Sequence, residues 1–126
     1  MSETTGKRIL VVDDNEEILS WMEFVLQRHE YDVILARDGG EALVRAQRDS
    51  PDLIILDIVM PIRSGLSVLE RLRANDSCKA RIMIVTANTE ERHRQYAESR
   101  GADAFMRKPF EVDVFLETVE ELLKDC

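Results

Sequence analysis

The sequence predicts an α/β domain: a doubly wound, five-stranded parallel sheet with helices on both faces. Two observations carry that prediction. Five short β-branched runs alternate with five longer amphipathic stretches at near-regular spacing, the pattern of a parallel sheet with helical crossovers. One run, Asp52-Leu-Ile-Ile-Leu-Asp57, is apolar without alternation, as a strand covered on both faces must be. Right-handed crossovers leave few other topologies.

Each element follows from its own residues. Arg8-Ile-Leu-Val-Val-Asp13 reads as a buried strand ending in acid. Asn15 caps the next helix, with Glu16 and Glu17 favourable in its first turn. Ile18, Met22 and Val25 recur at helical spacing, and Leu19 and Leu26 widen the stripe. Tyr31–Ala36 is the second strand. Asp38-Gly-Gly-Glu41 opens the second helix as a capping box, and Ala42, Leu43 and Ala46 form its apolar face. After the third strand, Met60-Pro61 interrupts regular structure, and Leu66, Leu69 and Leu72 mark the third helix. Arg81–Thr86 is the fourth strand. The helix that begins at Thr89 has little apolar face beyond Tyr96 and Ala97, which suits loose packing, motion or partner contact. Ala102–Met106 is a short fifth strand. Pro109 stands at the start of the last helix, whose core face is Phe115, Val119 and Leu122, with Leu116 and Leu123 beside it.

The chain has 126 residues, the size of one domain, and residues 1–126 read as a single unit with an ordered core over about 7–123. Lys and Arg number 17 against 25 Asp and Glu, a formal charge of −8. Such a surface repels phosphate backbones and anionic lipid, so direct nucleic-acid or membrane binding by this domain is not expected. Two cysteines, Cys78 and Cys126, make no disulfide framework and fit a reducing, cytoplasmic setting. The polar N-terminus leads into an apolar run too short for a signal peptide or a membrane span. His29 and His93 are isolated from each other and from cysteine, and read as surface residues.

Polar residues mark four strand ends: Asp13 and Asp14 after the first, Asp57 after the third, Thr86 at the fourth, Lys108 beyond the fifth. In an open doubly wound sheet, ligands bind outside the carboxyl ends of the strands where strand order reverses. In the five-strand order 2-1-3-4-5 that point lies between strands one and three, and Asp13, Asp14 and Asp57 would then face one another. Three carboxylates in one cleft repel unless a cation joins them, and Mg²⁺ suits a few protein oxygens plus waters. Lys108 adds a point charge and Thr86 a hydroxyl donor. These parts fit phosphoryl transfer to a carboxylate, in which catalysis is mainly positioning and charge neutralisation. Asp57 is the candidate nucleophile, and Asp13 and Asp14 are the candidate metal holders. Taken singly, Asp14 could be a helix cap, Asp57 a turn residue, Thr86 a strand-end residue and Lys108 a solvated lysine.

Val11-Val-Asp-Asp-Asn15, Pro51–Asp57 with Met60-Pro61 and Gly65, Ile84-Val-Thr-Ala87, and Gly101–Phe110 together resemble the receiver domain of two-component response regulators, of the chemotaxis-regulator type. The match runs from about Lys7 to Leu123. The resemblance implies the flavodoxin-like fold and phosphorylation of Asp57 by a sensor histidine kinase or a histidine phosphotransfer protein. It implies Mg²⁺, with Mn²⁺ as a substitute, held by Asp14, Asp57 and the backbone carbonyl of Val59, with Asp13 acting mostly through a metal-bound water. Lys108 would contact the phosphoryl group, and its bond to Pro109 would be cis. Thr86 and Phe105 would be a switch pair that reshapes the face of the fourth helix, fifth strand and fifth helix. The output would be a downstream effector or a fused output domain, and a phosphorylation-linked homodimer is left open. Val59 cannot hydrogen-bond an attacking water, and Asn88 flanks the same space, which implies a long-lived phosphoryl group.

Two other classes compete. A Mg²⁺-dependent phosphatase with an aspartyl nucleophile needs a second acid two residues after it, where this chain has Val59. A flavodoxin-like binding module needs a phosphate-cradling loop after the first strand, where this chain has Asp13-Asp14-Asn15.

Overall fold

The computed structural model describes residues 6–58, 65–74, 79–87 and 91–124. Its elements run β1 (Arg8–Val12), α1 (Glu16–Arg28), β2 (Asp32–Ala36), α2 (Gly39–Asp49), β3 (Leu53–Leu56), α3 (Gly65–Ala74), β4 (Arg81–Thr86), α4 (Glu91–Ser99), β5 (Ala104–Arg107) and α5 (Val112–Leu123). The strands form one sheet in order β2-β1-β3-β4-β5, and every neighbouring pair is parallel. The reversal of strand order falls between β1 and β3, as the sequence predicts.

Period-two alternation splits the core into two layers. Leu10, Val12, Ile54, Leu56, Ile82 and Ile84 face a cluster completed by Ala42, Val68, Leu69, Leu72 and Ala97 from α2, α3 and α4. Ile9, Val11, Leu53, Ile55, Met83 and Val85 face the opposite cluster, completed by Leu19, Met22, Leu26, Phe115, Val119 and Leu123 from α1 and α5. The three inner strands are apolar on both faces because each face carries helices.

Capping follows the sequence closely. The Asn15 side chain accepts the N–H groups of Glu17 and Ile18, which fixes the start of α1. Asp38 accepts the Glu41 N–H at the start of α2. The Glu41 carboxylate reaches back one residue further than a capping box requires, to the Arg37 N–H at 2.7 Å.

Several element ends differ from the sequence expectation by one to three residues, and two of the differences have a visible cause. β5 starts at Ala104 rather than Ala102. Gly101, at φ +102°, turns the chain out of α4, and the Asp103 carboxylate is then taken by the Ile82 N–H and by Arg73. Pro109 does not begin α5; it lies three residues before Val112, in a cis bond with Lys108, and Glu111 holds the cap position. Met60, Pro61, Cys78, Thr89 and Cys126 lie outside the described residues, as do Val59 and Asn88.

The N-terminal edge of the sheet is stapled by arginines. Arg8 donates its Nε–H to Asp32 and its Nη1–H to the Asp49 carbonyl, while its backbone N–H goes to Asp52. Arg73, on the last turn of α3, donates to Gly101 O, Ala80 O and the Asp103 carboxylate, at 3.0, 2.7 and 2.7 Å. One guanidinium thereby joins α3 to the start of β4 and to the α4–β5 turn. α4 itself is thinly attached: Ala97 is its one buried residue, and the Tyr96 hydroxyl donates to Glu70 of α3.

Candidate functional site

The site grows out of the carboxyl ends of β1, β3 and β5. The Asp13 N–H donates to Ala36 O, and the Asp57 N–H donates to Val12 O, each at 3.1 Å. These bonds carry the parallel ladder one residue past the strands, so both aspartates leave the sheet from fixed backbone. Because β1 and β3 are neighbours, their carboxylates meet over the switch point.

Lys108 arrives from the far side. Its N–H donates to Thr86 O at 2.8 Å, which holds the start of the β5–α5 connection against the end of β4. Its side chain then spans β4 and β3 and places Nζ 2.7 Å from Asp13 Oδ2 and 3.3 Å from Asp57 Oδ2. With its side chain 15% exposed, Lys108 is an internal cation and not a solvated one.

Asp13, Asp14 and Asp57 each offer a carboxylate oxygen, and these oxygens lie within 4.8 Å of one another. Asp13 and Asp57 are buried and Asp14 is exposed. Both Asp13 oxygens already accept bonds, Oδ1 from the Asn15 N–H at 2.9 Å and Oδ2 from Lys108. Asn15 does the capping of α1, so Asp14 is not needed as the cap. Three carboxylates and one ammonium carry a formal charge of −2, which a single divalent ion would balance. The donors are hard anionic oxygens with room left for water on the exposed Asp14 side, and this set fits Mg²⁺ or Mn²⁺ better than any soft metal.

Thr86 is fully buried at the end of β4. Phe105 of β5 pairs in register with Ile84, and both pack into the α2/α3/α4 layer. Thr86 is two residues beyond Ile84, so alternation puts Thr86 and Phe105 on the same face of the sheet. Val59, the remaining residue of the sequence-derived ligand set, lies outside the described residues.

Three features of the site were missed in the sequence. The Asn15 N–H orients Asp13, a short-range bond hidden behind the capping role of the same residue. Gly65, noted only as part of a motif, abuts the Asp57 backbone. Phe110, two residues beyond Lys108, stacks with Phe115 and meets the edge of Trp21 of α1, at centroid distances of 5.2 and 5.7 Å. The spacing of Phe110 and Phe115 carried no hint that a ring from α1 completes the group.

Comparison with known proteins agrees with this geometry. A family model described as the response regulator receiver domain matches residues 9–120. The chain is 43% identical over 105 residues to the Bacillus subtilis alkaline phosphatase synthesis transcriptional regulatory protein PhoP, which covers 83% of this chain and 43% of that protein. It is 29% identical over 117 residues to Protein PilH of Pseudomonas aeruginosa, covering 92% of this chain and 97% of that one. A CheY-like response regulator receiver domain protein from Methanospirillum hungatei superposes with a TM-score of 0.90 at 29% identity, over 94% of each chain. The chain spans about half the length of the transcriptional regulators it matches, including the PrrA proteins of mycobacteria.

Proposed function

This chain belongs to the receiver domains of two-component response regulators, and from that premise we propose that residues 1–126 act as one phosphoacceptor unit with Asp57 as the modified residue. The observation that carries the proposal is the convergence of Asp13, Asp14, Asp57 and Lys108 at the switch point.

Asp57 is the nucleophile because it is the single acid at the end of the central strand, on a backbone held by the Val12 carbonyl. A carboxylate oxygen attacks phosphorus, an aspartyl O–P bond forms, and the bond from phosphorus to the donor breaks on the opposite side. Asp14, Asp57 and the Val59 carbonyl would hold Mg²⁺, which when bound neutralises charge on the reacting oxygens. Asp13, whose two oxygens are already engaged, would act mostly through water. Lys108 lies within reach of both Asp13 and Asp57. When Asp57 gains a phosphoryl group, the greater negative charge moves to the Asp57 side, and the ammonium follows it. Thr86, on the neighbouring strand end, supplies a hydroxyl to a phosphoryl oxygen.

The response spreads through Thr86 and Phe105, which share a sheet face under α4. A helix with one buried residue has little to hold it, so a charge event at Asp57 biases the α4–β5–α5 face. The phosphoryl donor is a sensor histidine kinase or a histidine phosphotransfer protein, and the reader of the changed face is an effector protein or a fused output domain. The chain is a signalling module whose enzymology is limited to its own phosphorylation and slow dephosphorylation. No helix among the described residues is long and apolar enough to cross a membrane; we place the domain in the cytoplasm.

The test is intact mass after incubation with Mg²⁺ and acetyl phosphate. Gain of one phosphoryl group that is absent in Asp57→Asn and after removal of Mg²⁺ supports the reading. Repeated turnover of a phosphoester, with no retained group, would replace it with the phosphatase reading.

A further inference from the structure

We propose that Gly65 is a positioning residue for Asp57: the first residue of α3 lacks a side chain because the Asp57 backbone occupies the space. This rests on the assignment of Asp57 above. A Cβ built on Gly65 would lie 2.0 Å from the Asp57 carbonyl oxygen, 2.7 Å from its carbonyl carbon and 2.8 Å from Ile58 Cα. All three are backbone atoms, so no side-chain rotation can relieve the overlap. The Gly65 N–H also donates to Ile58 O at 2.8 Å, which clamps the start of α3 onto the residue after Asp57.

The glycine is not there for its conformational freedom. The glycines with positive φ are Gly6 and Gly101, and Gly65 is not among them. Its requirement is space alone. Gly101 is the opposite case: its φ of +102° demands glycine, and its nearest neighbours are side-chain atoms of Arg73 at the other edge of the sheet. The two positions therefore make a matched pair, one tied to the nucleophile and one tied to the fold.

A methyl group at position 65 must open a 2.0 Å approach to an ordinary contact, a displacement on the order of 1 Å, against a tolerance of about 0.5 Å for a working constellation. On the α3 side, Val68, Leu69 and Leu72 are anchored in the core. The displacement is shared between the first turn of α3 and the Asp57–Ile58 peptide, and the share taken by the peptide moves the Asp57 carboxylate relative to Asp13, Asp14 and Lys108. Mg²⁺, with its strict octahedral demand, registers such a shift as lost affinity.

The experiment compares wild type, Gly65→Ala and Gly101→Ala for thermal midpoint, Mg²⁺ affinity by calorimetric titration, and phosphoryl uptake from acetyl phosphate by intact mass. Gly65→Ala is expected to weaken Mg²⁺ binding at least about tenfold and to slow uptake. Gly101→Ala is expected to lower the thermal midpoint while holding both readouts within about twofold. A folded Gly65→Ala protein with wild-type Mg²⁺ affinity overturns the proposal, because α3 would then have absorbed the methyl group. Should Gly65→Ala be unfolded in buffer, the comparison is made in trimethylamine N-oxide, which favours the compact state. A variant still unfolded there also overturns it, since the space would then be a requirement of folding and not of Asp57. Metal binding is read apart from phosphoryl uptake, so a wild type that binds Mg²⁺ but takes up no phosphoryl group fails the Asp57 assignment alone.

Discussion

The two edges of the sheet both carry clustered charge, and they use it differently. At the N-terminal edge, Arg8 meets Asp32 and the Asp49 carbonyl, and Arg73 meets Asp103 and two backbone carbonyls. Each cation there is matched to acceptors, and the result is a set of ties between elements. At the C-terminal edge three carboxylates share one lysine. Charge that holds the fold is balanced, whereas charge gathered for chemistry is left in excess, waiting for a ligand of opposite sign. A contrast of attachment also separates two helices of one layer: α3 buries Gly65, Val68, Leu69 and Leu72, and α4 buries Ala97 alone.

Substitutions at the two edges should therefore fall into separate classes. Asp57→Asn gives the largest functional effect: phosphoryl uptake in the mass spectrum drops to background, while the thermal midpoint does not fall, because one of three crowded carboxylates has been neutralised. Lys108→Met comes next and sharpens the contrast. Uptake is expected to slow by about 10²- to 10³-fold, the usual effect of removing a donor to developing anionic charge. Mg²⁺ affinity, read by titration, is expected to rise, because the ammonium 2.7 Å from Asp13 no longer competes for the carboxylates. A fall in Mg²⁺ affinity would break the charge-excess reading of this edge.

Arg73→Ala probes the opposite edge. Three acceptors each lose one donor, and urea unfolding should show a loss of about 1–3 kcal/mol, with Mg²⁺ affinity unchanged. The smallest effect belongs to Asp32→Asn. Its pair with Arg8 is about half exposed on both sides, so the expected cost is under about 1 kcal/mol, within reach of careful urea titration.

The site was legible because its parts sit at fixed points of a repeating pattern. A strand run followed by an acid, a hydroxyl or a lysine locates Asp13, Asp14, Asp57, Thr86 and Lys108 at one edge as soon as the strands are read as parallel. The thin apolar face of α4 was equally visible, since only Tyr96 and Ala97 stood out, and Ala97 is the residue the core takes. The ties at the other edge were not legible. Arg8 and Arg73 find partners 24 to 44 and 7 to 30 residues away, and an arginine on a strand end or helix end reads the same whether it is solvated or bridging. The late start of β5 has the same origin: Ala102-Asp-Ala looks continuous with the strand until Arg73 and the Ile82 N–H claim Asp103. Gly65 shows a further limit, since a glycine needed for room and one needed for its φ, such as Gly101, are the same letter.

The aromatic contact between α1 and the β5–α5 connection gives the protein an optical signal of its own. Trp21 is the chain's single tryptophan, and its indole rests edge-on against Phe110, two residues from Lys108. A displacement of Lys108 that reaches its backbone would be passed through Pro109 to that ring pair. Emission intensity should then track occupancy of the carboxylates in real time, without a dye, and rapid mixing could time cation arrival separately from modification of Asp57.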